Sequence, residues 1–165
     1  MNIAFLVIDV QKEIMKSDSI ASNSMIQAID YINAAIVLFR KNNLRIIGIQ
    51  HINKDEQLMP GLDGFEIPEA VKLLPSDRRI QKTHSNAFIK TDLQNVLQDH
   101  KINTIILSGY CAEFCVLSTY RGARDLDMQP ILLRGSIASG NPENIRFVEN
   151  ICEIISIGAL EKFLE

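Results

Sequence analysis

Three side chains in this chain have the chemistry for covalent catalysis, and each stands where an apolar run ends. Cys115 lies in Ser108-Gly109-Tyr110-Cys111-Ala112-Glu113-Phe114-Cys115-Val116, where a buried strand runs into a turn and the cysteine falls on the first turn of a helix. A helix N-terminus carries about half a positive charge and free backbone N–H groups, so it favours thiolate over thiol and lowers a cysteine below its free pKa of about 8.5. Such N–H groups also suit an oxyanion. Asp9 closes the run Ile3-Ala4-Phe5-Leu6-Val7-Ile8, and Lys82 follows Arg79-Ile80-Gln81. A carboxylate takes the thiol proton and returns it to a leaving amine, while an ammonium stabilises the thiolate and the charge that develops on attack. The set suits thiol-based hydrolysis. Each residue alone has a plainer reading: the aspartate as a turn former, the lysine as a solvated charge, the cysteine as a small packing residue. Their joint placement carries the chemistry.

Bringing the three to one rim requires a parallel sheet. Short apolar runs alternate with segments of helical period, the pattern of an α/β fold whose parallel sheet is covered on both faces. Leu44-Arg45-Ile46-Ile47-Gly48-Ile49-Gln50, Asn103-Thr104-Ile105-Ile106-Leu107 and Ile131-Leu132-Leu133 read as further buried strands. Ile26, Ile29, Ile32, Ile36 and Phe39 mark the stripe of a crossover helix opened by Ser22 or Asn23. Thr91-Asp92-Leu93-Gln94 has the form of a capping box ahead of a short helix packed through Leu93, Val96 and Leu97. Val116, Thr119, Ala123 and Leu126 form the face of the helix carrying Cys115, and Asn141-Pro142-Glu143 opens another. Ligands bind at the carboxyl ends of such strands, where Asp9, Gln11, Gln50, His51 and Lys82 gather with the Gly109 to Cys115 turn. Residues 52 to 78, with Pro60, Gly61, Gly64, Pro68 and Pro75, break the rhythm apart from a predicted turn of helix from Pro68 to Leu74. A connection of that length serves as a lid or pocket wall.

With 165 residues and 47% hydrophobic content, the chain is expected to form one domain over residues 1–165. A formal net charge of −3 without a basic run excludes nucleic acid and anionic membrane surfaces as partners, leaving a small-molecule substrate. Three cysteines, no signal peptide and no long apolar span point to a cytoplasmic protein. Cys111 and Cys115 lack Cys-x-x-Cys spacing, and Cys152 reads as a packing residue. Neither a Gly-x-Gly-x-x-Gly turn nor a Walker lysine motif is present, which excludes nucleotide binding on those modes.

Leu6-Val7-Ile8-Asp9-Val10-Gln11, then Gly64-Phe65-Glu66-Ile67 with Ile80-Gln81-Lys82 and Ser85-Asn86-Ala87-Phe88, then Gly109-Tyr110 with Cys115-Val116 and Thr119 form three ordered motifs. Through them nearly the whole chain resembles the isochorismatase-like cysteine hydrolases, which include nicotinamidases, carbamoylsarcosine hydrolases and ureidoacrylate amidohydrolases. The resemblance implies a three-layer α/β/α sandwich with a six-stranded parallel sheet of order 3-2-1-4-5-6 and a catalytic triad of Asp9, Lys82 and Cys115. It implies a cis peptide between Tyr110 and Cys111, with the backbone N–H groups of Cys111 and Cys115 as oxyanion hole, and a homo-oligomer, dimer or tetramer. The implied reaction is hydrolysis of an amide or ureido C–N bond of a small metabolite through a thioester on Cys115. Here Asp9 is general acid/base and Lys82 stabilises the thiolate.

The departures from the family pattern are informative. Gln50, His51 and Ile52 stand where the nicotinamidase branch has an Asp-x-His pair for a metal, so no metal and no cofactor are expected. Ala112 replaces a threonine that braces the turn, and Gly135 replaces an acid after the next strand. These changes keep open a weak or inactive member that binds a metabolite or protein. Isochorismatases proper cleave a vinyl ether and often lack the cysteine, so Cys115 argues against that reaction. The pocket is expected to be lined from the strand ends by Gln11, Gln50, His51 and His84, and from the following turns by Asn86, Phe88, Tyr110, Glu113 and Phe114.

Overall fold

Runs with no polar face become strands buried on both sides. The computed structural model describes residues 2–16 and 19–165. In it, β1 (Ile3–Ile8) is buried throughout and sits mid-sheet between β2 (Arg45–His51) and β4 (Thr104–Tyr110). With β3 (Arg78–Lys82), β5 (Gln129–Ala138) and β6 (Ile154–Ile155), the strands form a six-stranded sheet of order β3-β2-β1-β4-β5-β6, every neighbouring pair parallel. Ile8 aligns with Ile49 on one side and Gly109 on the other, so the chain leaves β1 at Asp9 level with the ends of both neighbours.

Strand alternation splits the core into two layers. On one face Leu6, Ile8, Ile47, Ile105 and Leu107 pack against α2 (Leu93–Asp99), α3 (Leu117–Asp125) and α4 (Pro142–Ile151). On the other, Phe5, Val7, Ile46 and Ile106 meet α1 (Ile20–Lys41) and α5 (Ile157–Leu164). Phe39 of α1, fully buried against Phe5 with ring centroids 5.4 Å apart, stabilises that face by about 1.5–3 kcal/mol. No described helix is long and apolar enough to cross a membrane.

Several local expectations need correction. The buried stripe of α1 includes Met25, Ala28, Ile29, Ile32, Ile36 and Phe39, whereas Ile26 is exposed because it falls outside that arc. The helix opens at Ser19, whose hydroxyl accepts from the Ser22 N–H at 3.1 Å. Thr91 forms no capping box: its hydroxyl donates to the Ala87 carbonyl and accepts from the Leu93 N–H, and Asp92 stands at the N-cap. Between β2 and β3 the 3-10 turn lies at Asp63–Phe65, and the stretch from Pro68 to Leu74 contains only a turn closed by the Val71 N–H on the Pro68 carbonyl. At Asn141 the reading holds, its side chain accepting from the Glu143 N–H ahead of Pro142.

β5 runs well past Leu133. Its pairing with β4 shifts from Leu107 opposite Leu132 to Gly109 opposite Ile137, so the intervening segment bows outward at Gly135. Gly135 has φ +82, and a Cβ there would stand 2.9 Å from the Tyr31 ring of α1. A side chain there would be strained and would have to displace the exposed Tyr31 ring.

Candidate active site

The site is built where β1, β3 and β4 end. Asp9 takes φ 52, a left-handed conformation that aspartate tolerates, and its N–H donates to the Ile49 carbonyl at 2.9 Å. This turns the carboxylate along the sheet rim. Lys82 ends β3 with its side chain fully buried, and its Nζ lies 2.7 Å from Asp9 Oδ2, 2.9 Å from His51 Nδ1 and 3.3 Å from Cys115 Sγ. The ammonium is thus hydrogen-bonded to His51 and Cys115 and ion-paired with Asp9.

Cys115 is held by two unusual pieces of backbone. Gly109 at the end of β4 has φ +113 and passes so close to β1 that a Cβ would strike the Ile8 carbonyl. The peptide between Tyr110 and Cys111 is cis, and Ala112–Val116 then form a π-helical turn in which the Val116 N–H donates to the Cys111 carbonyl at 3.2 Å. The thiol thus sits in a widened turn ahead of α3 and not on the first turn of an α-helix.

Electrostatics reverse one expectation. Burial, reinforced by the Asp9 carboxylate, pushes the Cys115 thiol up to about 11 against the opposing pull of Lys82. Desolvation outweighs the helix end, so the resting sulfur holds its proton. Burial also raises Asp9 from 3.8 to about 6, with Lys82 holding it down. His51 falls to about 4 through burial and the Lys82 charge. Neutral His51 accepts from Lys82 at Nδ1, which leaves its Nε2–H as a donor.

Donor atoms of Asp9, His51 and Cys115 lie within 4.8 Å of one another, a grouping that invites a metal. Lys82 Nζ, however, contacts all three. An ammonium and a metal ion cannot occupy the same point, so as arranged these residues do not fit a metal.

Beside the trio opens a cavity of about 370 Å³. Of the residues expected there, Gln11, His51, Tyr110, Glu113 and Phe114 line it, and Gln50, His84, Asn86 and Phe88 do not. Gln50 precedes His51 on β2, so it points to the opposite face, where its amide donates to the Phe65 carbonyl at 3.0 Å. The Asn86 carboxamide accepts from the Phe88 N–H at 2.9 Å and covers Gly122. Phe88 packs on the α2 and α3 face of the core, and exposed His84 lies against its neighbour Thr83.

Other wall residues escaped the sequence reading. Asn53, Glu56 and Leu58 come from the long β2–β3 connection, which folds back through reciprocal 2.8 Å backbone bonds between Asn53 and Leu58. Ile14, Ser85 and Gly140 also line the cavity, as does Cys111, expected above in the oxyanion hole. Only the length of that connection signalled a wall in advance. Gln11 anchors the assembly: its amide oxygen accepts from the His51 N–H at 2.8 Å, and its nitrogen donates to the carbonyls of His51 and Phe65 at 3.1 and 2.9 Å.

Comparison with known proteins agrees with this architecture. The sequence model of the isochorismatase domain matches residues 3–149. The uncharacterized isochorismatase family protein YrdC of Bacillus subtilis (strain 168) is 29% identical over 138 residues, 82% of this chain and 73% of that protein. Among solved structures, a cysteine hydrolase from Pseudomonas syringae pv. phaseolicola 1448A shares the fold with a TM-score of 0.89 at 20% identity, over 99% of this chain and 92% of its own. N-carbamoylsarcosine amidase from Thermoplasma acidophilum does so at 0.81 and 21%, over 95% and 97%. With a domain match spanning most of its length, the chain belongs to the isochorismatase family, a family of hydrolytic enzymes.

Proposed function

We propose that the chain hydrolyses a C–N bond, amide or ureido, of a small metabolite through a thioester on Cys115. The observation that carries this reading is the Lys82 ammonium bridging Asp9 Oδ2 at 2.7 Å and Cys115 Sγ at 3.3 Å. A proton acceptor and a fixed cation then flank the sulfur.

Cys115 Sγ attacks the carbonyl carbon while its proton passes to Asp9. Because the thiol, at about 11, titrates well above Asp9, at about 6, transfer runs together with C–S bond formation and not ahead of it. Lys82 compensates the charge that builds on sulfur, and the backbone N–H groups of Cys111 and Cys115 receive the oxyanion. Asp9 returns the proton to nitrogen, the C–N bond breaks, and the amine or ammonia leaves. Water then adds to the thioester carbonyl and gives a proton to Asp9. The C–S bond breaks, and the sulfur recovers its proton from Asp9 as the acid departs. The amidase among the fold neighbours carries the name of a C–N hydrolase, which supports this reaction class.

The test is a panel of small amides and ureido compounds scored for ammonia or amine release, beside Cys115→Ala, with intact mass measured after acid quenching. Turnover that vanishes in Cys115→Ala and an acyl adduct on the wild-type chain are expected. Absence of both across the panel refutes the mechanism and favours a binding-only member of the family.

A further inference from the structure

Resting on the hydrolase reading above and deepening it, we infer that the substrate of this cavity carries a positive charge, an amine or guanidine, outside its scissile group, and carries no carboxylate. The wall of the cavity has one sign of charge. Its charged members among the described residues are Asp9, Glu56 and Glu113. The nearby cation, Lys82, lies behind the wall with no side-chain exposure, ion-paired with Asp9 and hydrogen-bonded to His51 and Cys115. It is not presented to a ligand carboxylate. His51, the other basic group at the site, stays neutral at ordinary pH because burial and Lys82 lower it to about 4.

Asp9 and Lys82 offset each other, so the remaining charge of the wall is that of Glu56 and Glu113. Neither is in an ion pair with a described cation. Glu113 is built in. Its Oε1 accepts from Ser139 Oγ at 3.0 Å and Asn144 Nδ2 at 2.7 Å, and its Oε2 from Cys111 Sγ at 2.8 Å. Its burial opposes ionisation, but these donors prevail and hold the carboxyl below its usual range. Glu56 stands close enough that its charge acts with that of Glu113 on the Tyr110 phenol, which burial and its acidic neighbours raise to about 12. Tyr110 and exposed Phe114 add aromatic faces to the same wall. Carboxylates beside aromatic faces attract a cation, while an anion entering here meets two uncompensated charges.

Asp9 lines the cavity, and its Oδ1, like the Oδ2 that lies 2.7 Å from Lys82 Nζ, is buried without a hydrogen-bond partner. That orphan acceptor suits the N–H of an amide or ureido group. The cavity therefore offers two kinds of recognition: an acceptor for N–H at Asp9 and negative charge for a cation at Glu56 and Glu113.

Three amides of nearly equal size separate the cases: γ-aminobutyramide as cation, valeramide as neutral and succinamate as anion. Binding to Cys115→Ala, measured by titration calorimetry, reads charge preference without chemistry. The cation is expected to bind about tenfold or more tighter than the anion, with the neutral amide between, and the gap narrows as salt rises from about 0.05 to about 0.5 M. Glu56→Gln, on an exposed loop, and Glu113→Gln should each narrow the gap, and the exposed position keeps the test available if the other substitution disturbs the turn. Equal, reversed or undetectable binding overturns the inference. Ammonia release by the wild-type chain is scored separately. Cys115-dependent turnover without the charge order overturns this inference and keeps the hydrolase reading; the charge order without turnover of any member overturns the hydrolase reading and keeps the cation-selective cavity.

Discussion

Replacing Lys82 by methionine removes the ammonium while nearly preserving side-chain length, and its consequence is worked most directly through Asp9. In the native site Lys82 is the group that opposes burial at this carboxyl, which nevertheless reaches about 6 from 3.8. A folded-state proton affinity raised in this way means that the native chain holds a proton the unfolded chain has released between pH 3.8 and about 6. Stability therefore falls as pH rises through that window, by about 3 kcal/mol in all. With Lys82 gone, burial is opposed only by the weaker contribution of Cys115, the carboxyl titrates above 6, and the decline continues to higher pH. The deficit of Lys82→Met relative to wild type should grow between pH 5 and 8 by about 1.4 kcal/mol for each pH unit that the Asp9 titration moves. Protonated Asp9 cannot accept the thiol proton, so kcat/KM at pH 7 should drop on the order of 10²- to 10⁴-fold. Infrared difference spectra, with Asp9→Asn as the reference for assignment, read the protonated carboxyl directly, and urea unfolding at the two pH values reads the stability. An Asp9 that still titrates at or below 6 in Lys82→Met, or a stability deficit independent of pH, refutes the reasoning.

The remaining expectations concern sulfur, metal and backbone. In the free protein the alkylation rate of Cys115, followed by peptide mass, should climb with pH toward about 11, because the thiol holds its proton below that; a plateau already reached below pH 7 would contradict it. The kcat/KM of wild type should fall below about pH 6 as Asp9 protonates, with a pH–rate profile as the measurement. Exhaustive chelation should leave turnover unchanged, since Lys82 occupies the point between the three donors; loss on chelation with recovery on adding a metal would show the ammonium displaced. Gly109→Ala should cost roughly 3 kcal/mol or more in urea unfolding, because φ +113 is strained for alanine and its Cβ meets the Ile8 carbonyl; a loss below about 1 kcal/mol would be inconsistent with that contact.

The sequence makes the sheet legible and the pocket only in part, for physical reasons. A strand covered on both faces must be apolar along its length, so β1 is legible at its full extent, Ile3–Ile8, and β4, Thr104–Tyr110, with its ends displaced by a few residues. β6 is the two residues Ile154–Ile155, too short for any periodicity, and α5 lies behind it with no signal of its own in the pattern. The approach of Asp9 to Lys82 is legible because a strand end is visible in sequence and the sheet gathers strand ends. The pocket wall depends on side-chain direction, which distinguishes His51 from adjacent Gln50 only once pairing is known. Glu56 and Leu58 approach through a loop whose fold rests on bonds between residues with no periodic pattern. Local helix geometry, which favours a Cys115 thiolate, is visible in sequence, whereas the burial that outweighs it comes from the whole fold.

The reciprocal bonds between Asn53 and Leu58 pinch residues 54–57 into a closed loop whose neck is fixed while its tip stays in solvent. None of those four residues touches Asp9, Lys82 or Cys115 through a hydrogen bond or ion pair. The tip is thus an exchangeable cassette. Grafting other sequences or lengths between the two pinching residues offers a route to retune which metabolite is admitted while the reactive sulfur and its neighbours keep their geometry.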